Sequence, residues 1–561
     1  MKVPVFTSLA GYRPSWIRGD LVAGLTVWAV LVPEALAYAS IAGVSPVVGL
    51  YAAPGALILY AAFGSSRHLV TGPMSATAAL SAAAVGDLAT QGTDEFVALT
   101  TTLGLVVGII ALVAGLLRLG FLANFISEPV LKGFIIGLAL TIIVGQLPKL
   151  FGVPKTSGDF FEQLWGLLTK LGDTSGLTLL VGLLSLALVI VLKEWVPVVP
   201  GSLVAVLLGI AAVHLFNLDD HGVQVVGHID SGLPSLGLPD VAAHRYLDLA
   251  GSAVGIALVG FAEGLGAAKT YAAKNHYEID ASRELVGLGA ANLGSGLSSG
   301  MVVNGSLSKT AVNGSAGAKT QASGLIVAAL TIVTLLFLTG LFEDLPEATL
   351  GAVVIAALVE LVDIPALRRL YRLHTSGLGR IYGIAARPDF IAAVGAMLGV
   401  LVFDTLPGLF IGIALSFVLL LYRASRPHVA VLGRVPGTRD QYVDLERHPG
   451  NETDPGIVLL RVEGGLFFAN ADLVRAQIRR HAAAPGTKAI ILDAETVPFI
   501  DVTAANMLID LTDDLEGQGI RLVIARDIGQ VRDILDRAGG PSAPAYPSLR
   551  AAVEAVREPD G

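Results

Sequence analysis

Two glutamates stand where an apolar chain would resist them. Glu34 follows Pro33 inside "GLTVWAVLVPEALAYASIAG", which runs from Gly24 to Gly43, and Glu263 lies within "FAEGL" in a second apolar run. A charge at the centre of a bilayer costs roughly 2.5–3.5 kcal/mol on insertion scales, so an acid kept there is a functional candidate. Tyr38, one helical turn beyond Glu34, falls on the same face. Two further clusters mark the starts of short apolar segments: Gly72, Pro73, Met74 and Ser75, and Asn304, Gly305, Ser306, Leu307 and Ser308, with Lys309 just beyond. A helix that begins inside a membrane aims free N–H groups and a partial positive charge at whatever lies before it. Two such starts facing one another would hold an anion on backbone donors, and Lys309 would add a positive field. Gly and Ser also serve close helix packing, and a buried glutamate also serves as a structural acceptor. The clustering at both helix starts favours the anion site.

The elements that must position these residues are membrane spans. The chain has 561 residues, of which 53% are hydrophobic and 15% charged, with a mean hydropathy of +0.71; an ordinary soluble domain carries about 25% charged residues. Apolar segments follow one another near 18–45, 47–63, 74–89, 97–117, 129–147, 177–194 and 201–216. A second set lies near 247–271, 283–297, 305–316, 321–341, 346–361, 388–403 and 405–422. The segments starting at Met74 and Gly305 are too brief to cross about 30 Å alone. Residues 1–17 lack the apolar core of a signal peptide and read as a cytoplasmic lead-in. Arg13, Arg18, Arg67, Arg118, Lys193, Lys274, Arg368 and Arg423 fall on one side, and acidic loops such as "GDLATQGTDEF" on the other. This bias places both termini in the cytoplasm.

The two sets repeat. Glu34 and Glu263 are 229 positions apart, Ser75 and Ser306 are 231 apart, and seven spans per unit make the two units inverted. Inverted repeats with short, interrupted segments point to a secondary transporter whose site lies at the midplane. Beyond Arg426, strand-like runs ("GIVLLRVEGGLFFAN", "KAIILDAE", "IRLVIAR") alternate with helical ones, which predicts a small cytoplasmic α/β domain. The stretch 427–453 reads as the linker to it, and "AGGPSAPAYP" as a linker-like tail. The expected fold is therefore an α-helical polytopic membrane protein with a seven-plus-seven inverted repeat over 18–426, followed by an α/β domain over 454–558. With no Cys, disulfides, thiolate metal sites and Cys nucleophiles are excluded. No metal cluster, nucleophile–base pair or cofactor fingerprint is evident, so neither an enzyme, a cofactor nor nucleic-acid binding is expected.

"VPEALAYASIAGVSPVVGLYAA" and "GSSRHLVTGPMSATAAL" resemble the first-span and third-span signatures of the SulP anion permeases, relatives of solute carrier family 26, and the C-terminal part resembles a STAS domain. The resemblance implies core and gate bundles, elevator-like motion and a homodimer. It places the anion site on Glu34, Tyr38, Met74, Ser308 and Lys309 with the third- and tenth-span backbones. Glu34 stands where animal members commonly carry Gln, and Lys309 where Arg is usual. Glu263 matches an acid linked to protons in plant sulfate transporters and to sodium in a cyanobacterial bicarbonate transporter; Ala267 replaces a Thr of that sodium site, against sodium. In the STAS phosphorylation loop, "FIDVTAAN" puts Val502 at the phosphorylated Ser. An anion beside a dehydrated carboxylate favours the protonated acid, so anion and proton are expected to enter together through Glu34, Glu263 or both. Sulfate is the expected substrate; bicarbonate or a dicarboxylate, sodium-coupled or uncoupled carriage, and a membrane-tethered STAS scaffold are the alternatives.

Overall fold

The computed structural model describes residues 5–121, 127–156, 158–196, 199–359, 361–373, 388–403, 405–539 and 546–557. The chain forms two compact units, one of residues 1–369 and 389–416, the other of 370–388 and 417–561.

Over residues 17–424 each expected apolar segment falls on a helix. The first half gives α1 (Ile17–Ala42), α2 (Pro46–Phe63), α3 (Ser75–Gly86), α4 (Asp94–Leu116), α5 (Glu128–Phe151), a short amphipathic α6 (Phe160–Thr169), α7 (Gly176–Trp195) and α8 (Gly201–Phe216). The second half gives a one-turn α9 (His244–Asp248), α10 (Ala250–Lys274), α11 (Ala281–Leu297), α12 (Leu307–Ser315), α13 (Ala322–Phe337), α14 (Glu347–Val359), α15 (Ile364–Leu373), α16 (Pro388–Phe403) and α17 (Thr405–Ala424). Among the described residues, seven helices are long and apolar enough to cross a membrane. The lead-in 1–17 contributes two single 3-10 turns, Thr7–Leu9 and Pro14–Trp16.

Packing sorts the helices into two groups, each drawn from both halves. α1 to α4 interleave with α10 to α13, whereas α14 packs on α5, α7 and α8. Small residues make the first group tight. α2 and α11 touch at Gly55 and Gly294, where a Cβ on either would collide with the other's carbonyl. That approach is what small residues provide where lipid supplies no hydrophobic drive between helices. Two buried acids then pin the connections. Glu284 of α11 accepts from Tyr60 Oη (2.6 Å), the Ser65 and Ser66 amides (2.7 and 2.8 Å) and Ser65 Oγ (2.6 Å). Asp20 of α1 accepts from the Lys319 and Thr320 amides and from Thr320 Oγ1. Gln321 Nε2 donates to the carbonyls of Ser66 and Leu69, stitching the segment before α3 to the segment after α12.

The second unit holds a five-stranded sheet of order β4-β3-β5-β6-β7, numbering β3 His428–Arg434, β4 Tyr442–Asp444, β5 Ile457–Glu463, β6 Ala489–Asp493 and β7 Arg521–Ala525. β5, β6 and β7 run parallel, and β3 lies antiparallel to β5 and β4. α18 (Ala471–Ala482), α19 (Val502–Glu516) and α20 (Gly529–Arg537) follow in turn, with α21 (Leu549–Arg557) packed on β6 and β7. The stretch read as linker therefore supplies two strands. "HVAVLGR" alternates buried and part-buried side chains, a period-2 signal hidden between its basic flanks. The tail-like run is no tail either: residues 540–545 lie outside the described residues, but Tyr546 bridges to Ala525 and α21 follows. Val502 stands at the first position of α19 and is 68% exposed, while Asp501 caps that helix through the Ala504 amide.

Asp493, fully buried at the end of β6, pairs with Arg461 (2.7 Å) and Arg526 (2.5 Å). Asp493→Ala should destabilise the domain by about 1–3 kcal/mol, because it takes the carboxylate partner from the part-exposed Arg461 and leaves Arg526 only Glu495. Thermal unfolding measured alongside Asp493→Asn, which keeps the shape, checks it; equal stability for all three would remove the ion pairs from the account.

Candidate anion-binding site

The site begins with two three-residue strands that interrupt the helical pattern. β1 (Val70–Gly72) pairs antiparallel with β2 (Asn304–Ser306), in the register Val70↔Ser306, Thr71↔Gly305 and Gly72↔Asn304. Because the strands oppose one another, the helices they feed, α3 and α12, depart in opposite directions with their N-termini close together. Gly305 is required there: a Cβ would sit 2.8 Å from the Leu69 side chain and 3.0 Å from Gly264 Cα. Val70 N–H donates to Thr310 Oγ1 (3.1 Å), and Asn313 Nδ2 to the His68 carbonyl (2.9 Å), which fastens α12 to the approach of α3.

The two helix starts are finished differently. Met74 occupies the N-cap of α3 with extended backbone, and its side chain provides no cap, so the first-turn N–H groups from Ser75 onward have none from it. Ser306 caps α12, its Oγ accepting from Lys309 N (3.2 Å) and lying 3.1 Å from Ser308 Oγ. Ser75 is buried, Met74 half-buried and Ser308 exposed. Leu307 is 54% exposed and offers the site its backbone rather than a lining side chain.

Lys309 is the centre of the arrangement. Its side chain is 1% exposed, and Nζ lies 2.5 Å from Glu34 Oε2, itself 10% exposed. The Tyr38 ring lies 5.1 Å from the same ammonium, close enough for the ring face to stabilise the cation. The positive field expected of Lys309 has a counter-charge beside it: in this structure the Lys309 ammonium is held by Glu34. Spacing along the sequence placed Glu34 and Tyr38 on one face of α1 but carried no sign that α12 would bring its ammonium to that face, 275 positions away.

Glu263 belongs to a separate contact. Half-buried on α10, it accepts from Asn304 Nδ2 (3.2 Å), and Asn304 Oδ1 accepts from the Gly305 amide (2.7 Å). The two repeat-related acids thus do different things, one holding a cation and the other the strand that leads to that cation. Thr310, Asn313, Asp20, Glu284 and Gln321, which fix the strands and the loops, went unread in the sequence. Their signal is a polar residue inside or beside an interrupted apolar segment, and Asp20 and Glu284 were indistinguishable from ordinary helix-flanking charges.

Opposed half-helices within a group that interleaves the two halves, with an α/β domain after the last helix, define a multi-pass membrane transporter of the inverted-repeat class. The model of the Sulfate permease family matches residues 17–383, and that of the STAS domain matches residues 448–552. A probable sulfate transporter of Mycobacterium tuberculosis is 37% identical over 558 residues, covering 97% of this chain and 96% of that one. Probable sulfate transporter 4.2 of Arabidopsis thaliana is 32% identical, over 96% of this chain and 80% of its own. The murine solute carrier 26 family member A9 anion transporter, solved in the inward-facing state, superposes with a TM-score of 0.87 at 23% identity, covering 98% of this chain and 93% of that one. The transmembrane domain of the cyanobacterial bicarbonate transporter BicA gives 0.61 at 24%, covering 71% and 98%. The chain is a member of the sulfate permease family.

Proposed function

We propose that the protein imports sulfate with protons across the plasma (inner) membrane, both termini in the cytoplasm, as a homodimer working by an elevator-type displacement of the site-bearing helices. The contact that carries this reading is Lys309 Nζ on Glu34 Oε2, buried beside the start of α12. A dianion arriving at the two helix starts competes with the Glu34 carboxylate for one ammonium. With Glu34 ionised the pair is neutral, and the anion meets only backbone dipoles and a like-charged neighbour. A proton on Glu34 removes that competitor, and the sulfate oxygens accept from Lys309 Nζ, the free amides of α3 and α12, and Ser308 Oγ. Release on the other side returns the proton to water and Lys309 to Glu34. Lys309 meets the oxyanion as a point charge with rotatable donors, without the planar fork of an Arg. The relatives named as sulfate transporters support sulfate over bicarbonate or a dicarboxylate.

Radiolabelled sulfate uptake into proteoliposomes tests this, with and without an inward proton gradient and with sodium varied separately. Uptake should rise as the outside is acidified and stay indifferent to sodium. Glu263→Gln should slow uptake yet keep the gradient stimulation, because Glu263 organises Asn304 rather than holding the ammonium. Stimulation lost in Glu263→Gln but kept in Glu34→Gln would transfer the coupling to α10. Uptake that depends on sodium, or that bicarbonate alone displaces, would overturn the proton–sulfate reading.

A further inference from the structure

A second feature concerns the anion before it reaches Lys309. A cavity of about 950 Å³ opens at the end of the first unit where α1, α3 and α5 terminate, opposite the start of α1. One wall is the face of α3 carrying Ala79, Ala83 and Gly86, at positions i, i+4 and i+7. Ala79 lies one turn, about 6 Å along the axis, beyond Ser75, so the cavity ends just short of the helix start that would receive the anion. The other wall is α5, with Thr141 and Gln146, and beyond it Gln163 of α6 and Lys155 of the α5–α6 loop.

The lysines in and around that loop differ in what they touch. Lys149 lies 3.6 Å from Glu347, and Lys170 Nζ donates to the Pro154 carbonyl and to Thr156 Oγ1, both at 3.1 Å. Lys155 has no hydrogen bond or ion pair with any described residue, yet it lines the cavity. A cation left without a counter-charge, in a cleft walled by small residues, amides and a hydroxyl, is suited to a small oxyanion and offers little to an apolar ligand. Asp87, the exposed C-cap of α3, is the one acid in the lining and opposes such binding from the rim.

We propose that this cavity is an outer waiting site for the transported oxyanion, with Lys155 as its capturing cation and Gln146 and Gln163 as neutral donors. The inference rests on the transport reading above, so its test includes a measurement that needs no transport. The chain has no cysteine, so Thr141→Cys places a single thiol in the cavity. Membrane-impermeant methanethiosulfonates are added from outside, one anionic and one cationic. The ratio of anionic to cationic modification rates should fall roughly tenfold when Lys155→Gln is added to Thr141→Cys, the size expected when a focusing charge leaves a cleft. Sulfate should slow modification of Thr141→Cys and have no effect on Thr141→Cys/Lys155→Gln, with Lys155→Arg keeping the protection. In uptake, Lys155→Gln should raise KM several-fold while Vmax holds. Equal protection with and without Lys155, or none in either, overturns the waiting site even if sulfate is transported. Protection that depends on Lys155 in a protein that carries no sulfate overturns the transport reading and leaves the site standing.

Discussion

Lys309→Met should abolish sulfate uptake and destabilise the protein at the same time. Removing the ammonium strips the site of its cation and leaves Glu34, only 10% exposed, as a buried charge without its counter-charge. Breaking such a pair costs about 3–5 kcal/mol, far above the 0–1 kcal/mol of a surface ion pair. The loss of uptake alone could then be dismissed as misfolding, so the informative variant is Glu34→Gln/Lys309→Met. With both charges gone it should recover most of the thermal stability in detergent or lipid while uptake stays absent. Wild-type uptake by either variant would remove Lys309 from the anion site. Failure of the double variant to regain stability would mean that the contact matters for its hydrogen bond and packing more than for its charge balance.

Glu34→Gln alone should behave in the opposite sense. Lys309 is then always available to the anion, so sulfate should bind more tightly at neutral pH, by about tenfold if the lost competition is near 1.4 kcal/mol. Acid stimulation should vanish, because on the proposed mechanism Glu34 is the group that carries the proton. On that mechanism protonation of Glu34 removes the competitor, so wild-type uptake should rise toward acid and the Glu34→Gln profile should be flat. Without ligand the unpaired ammonium destabilises the variant, and sulfate should restore it. The thermal shift produced by sulfate should therefore be larger in Glu34→Gln than in the wild type. A variant that keeps the full acid stimulation, with an unchanged sulfate-induced shift, would separate Glu34 from coupling altogether.

Much of the architecture was legible because burial in lipid imposes a strong pattern. A chain that must satisfy every backbone group within its own helices writes long apolar runs, and the interruptions at Gly72–Ser75 and Asn304–Ser306 were visible as departures from them. The α/β domain was equally visible, though its first two strands were lost among charges, since "HVAVLGR" is short and its alternation is masked by the residues on either side. The residues proposed for the site were legible as candidates, but the contacts among them were not. Glu34, Tyr38, Met74, Ser75, Ser306, Ser308 and Lys309 were all named from type and spacing.

By itself the sequence determined which residues could not be accidental: an acid inside an apolar run, hydroxyls at helix starts, a lysine just within a short segment, and the same features repeated some 230 positions apart. Each follows from local cost, and local cost depends only on residue type and its immediate neighbours. Only the tertiary structure decided who pairs with whom. Lys309 takes Glu34 across 275 positions, and Glu263 takes Asn304 across 41. The antiparallel strands fix α12 against the approach of α3; α1 and α10 both pack on these two helices, and of their two acids it is Glu34 of α1 that the ammonium meets. Pairing energy at a few ångströms depends on where helices cross, and residues so far apart in the chain carry no trace of that crossing in their spacing.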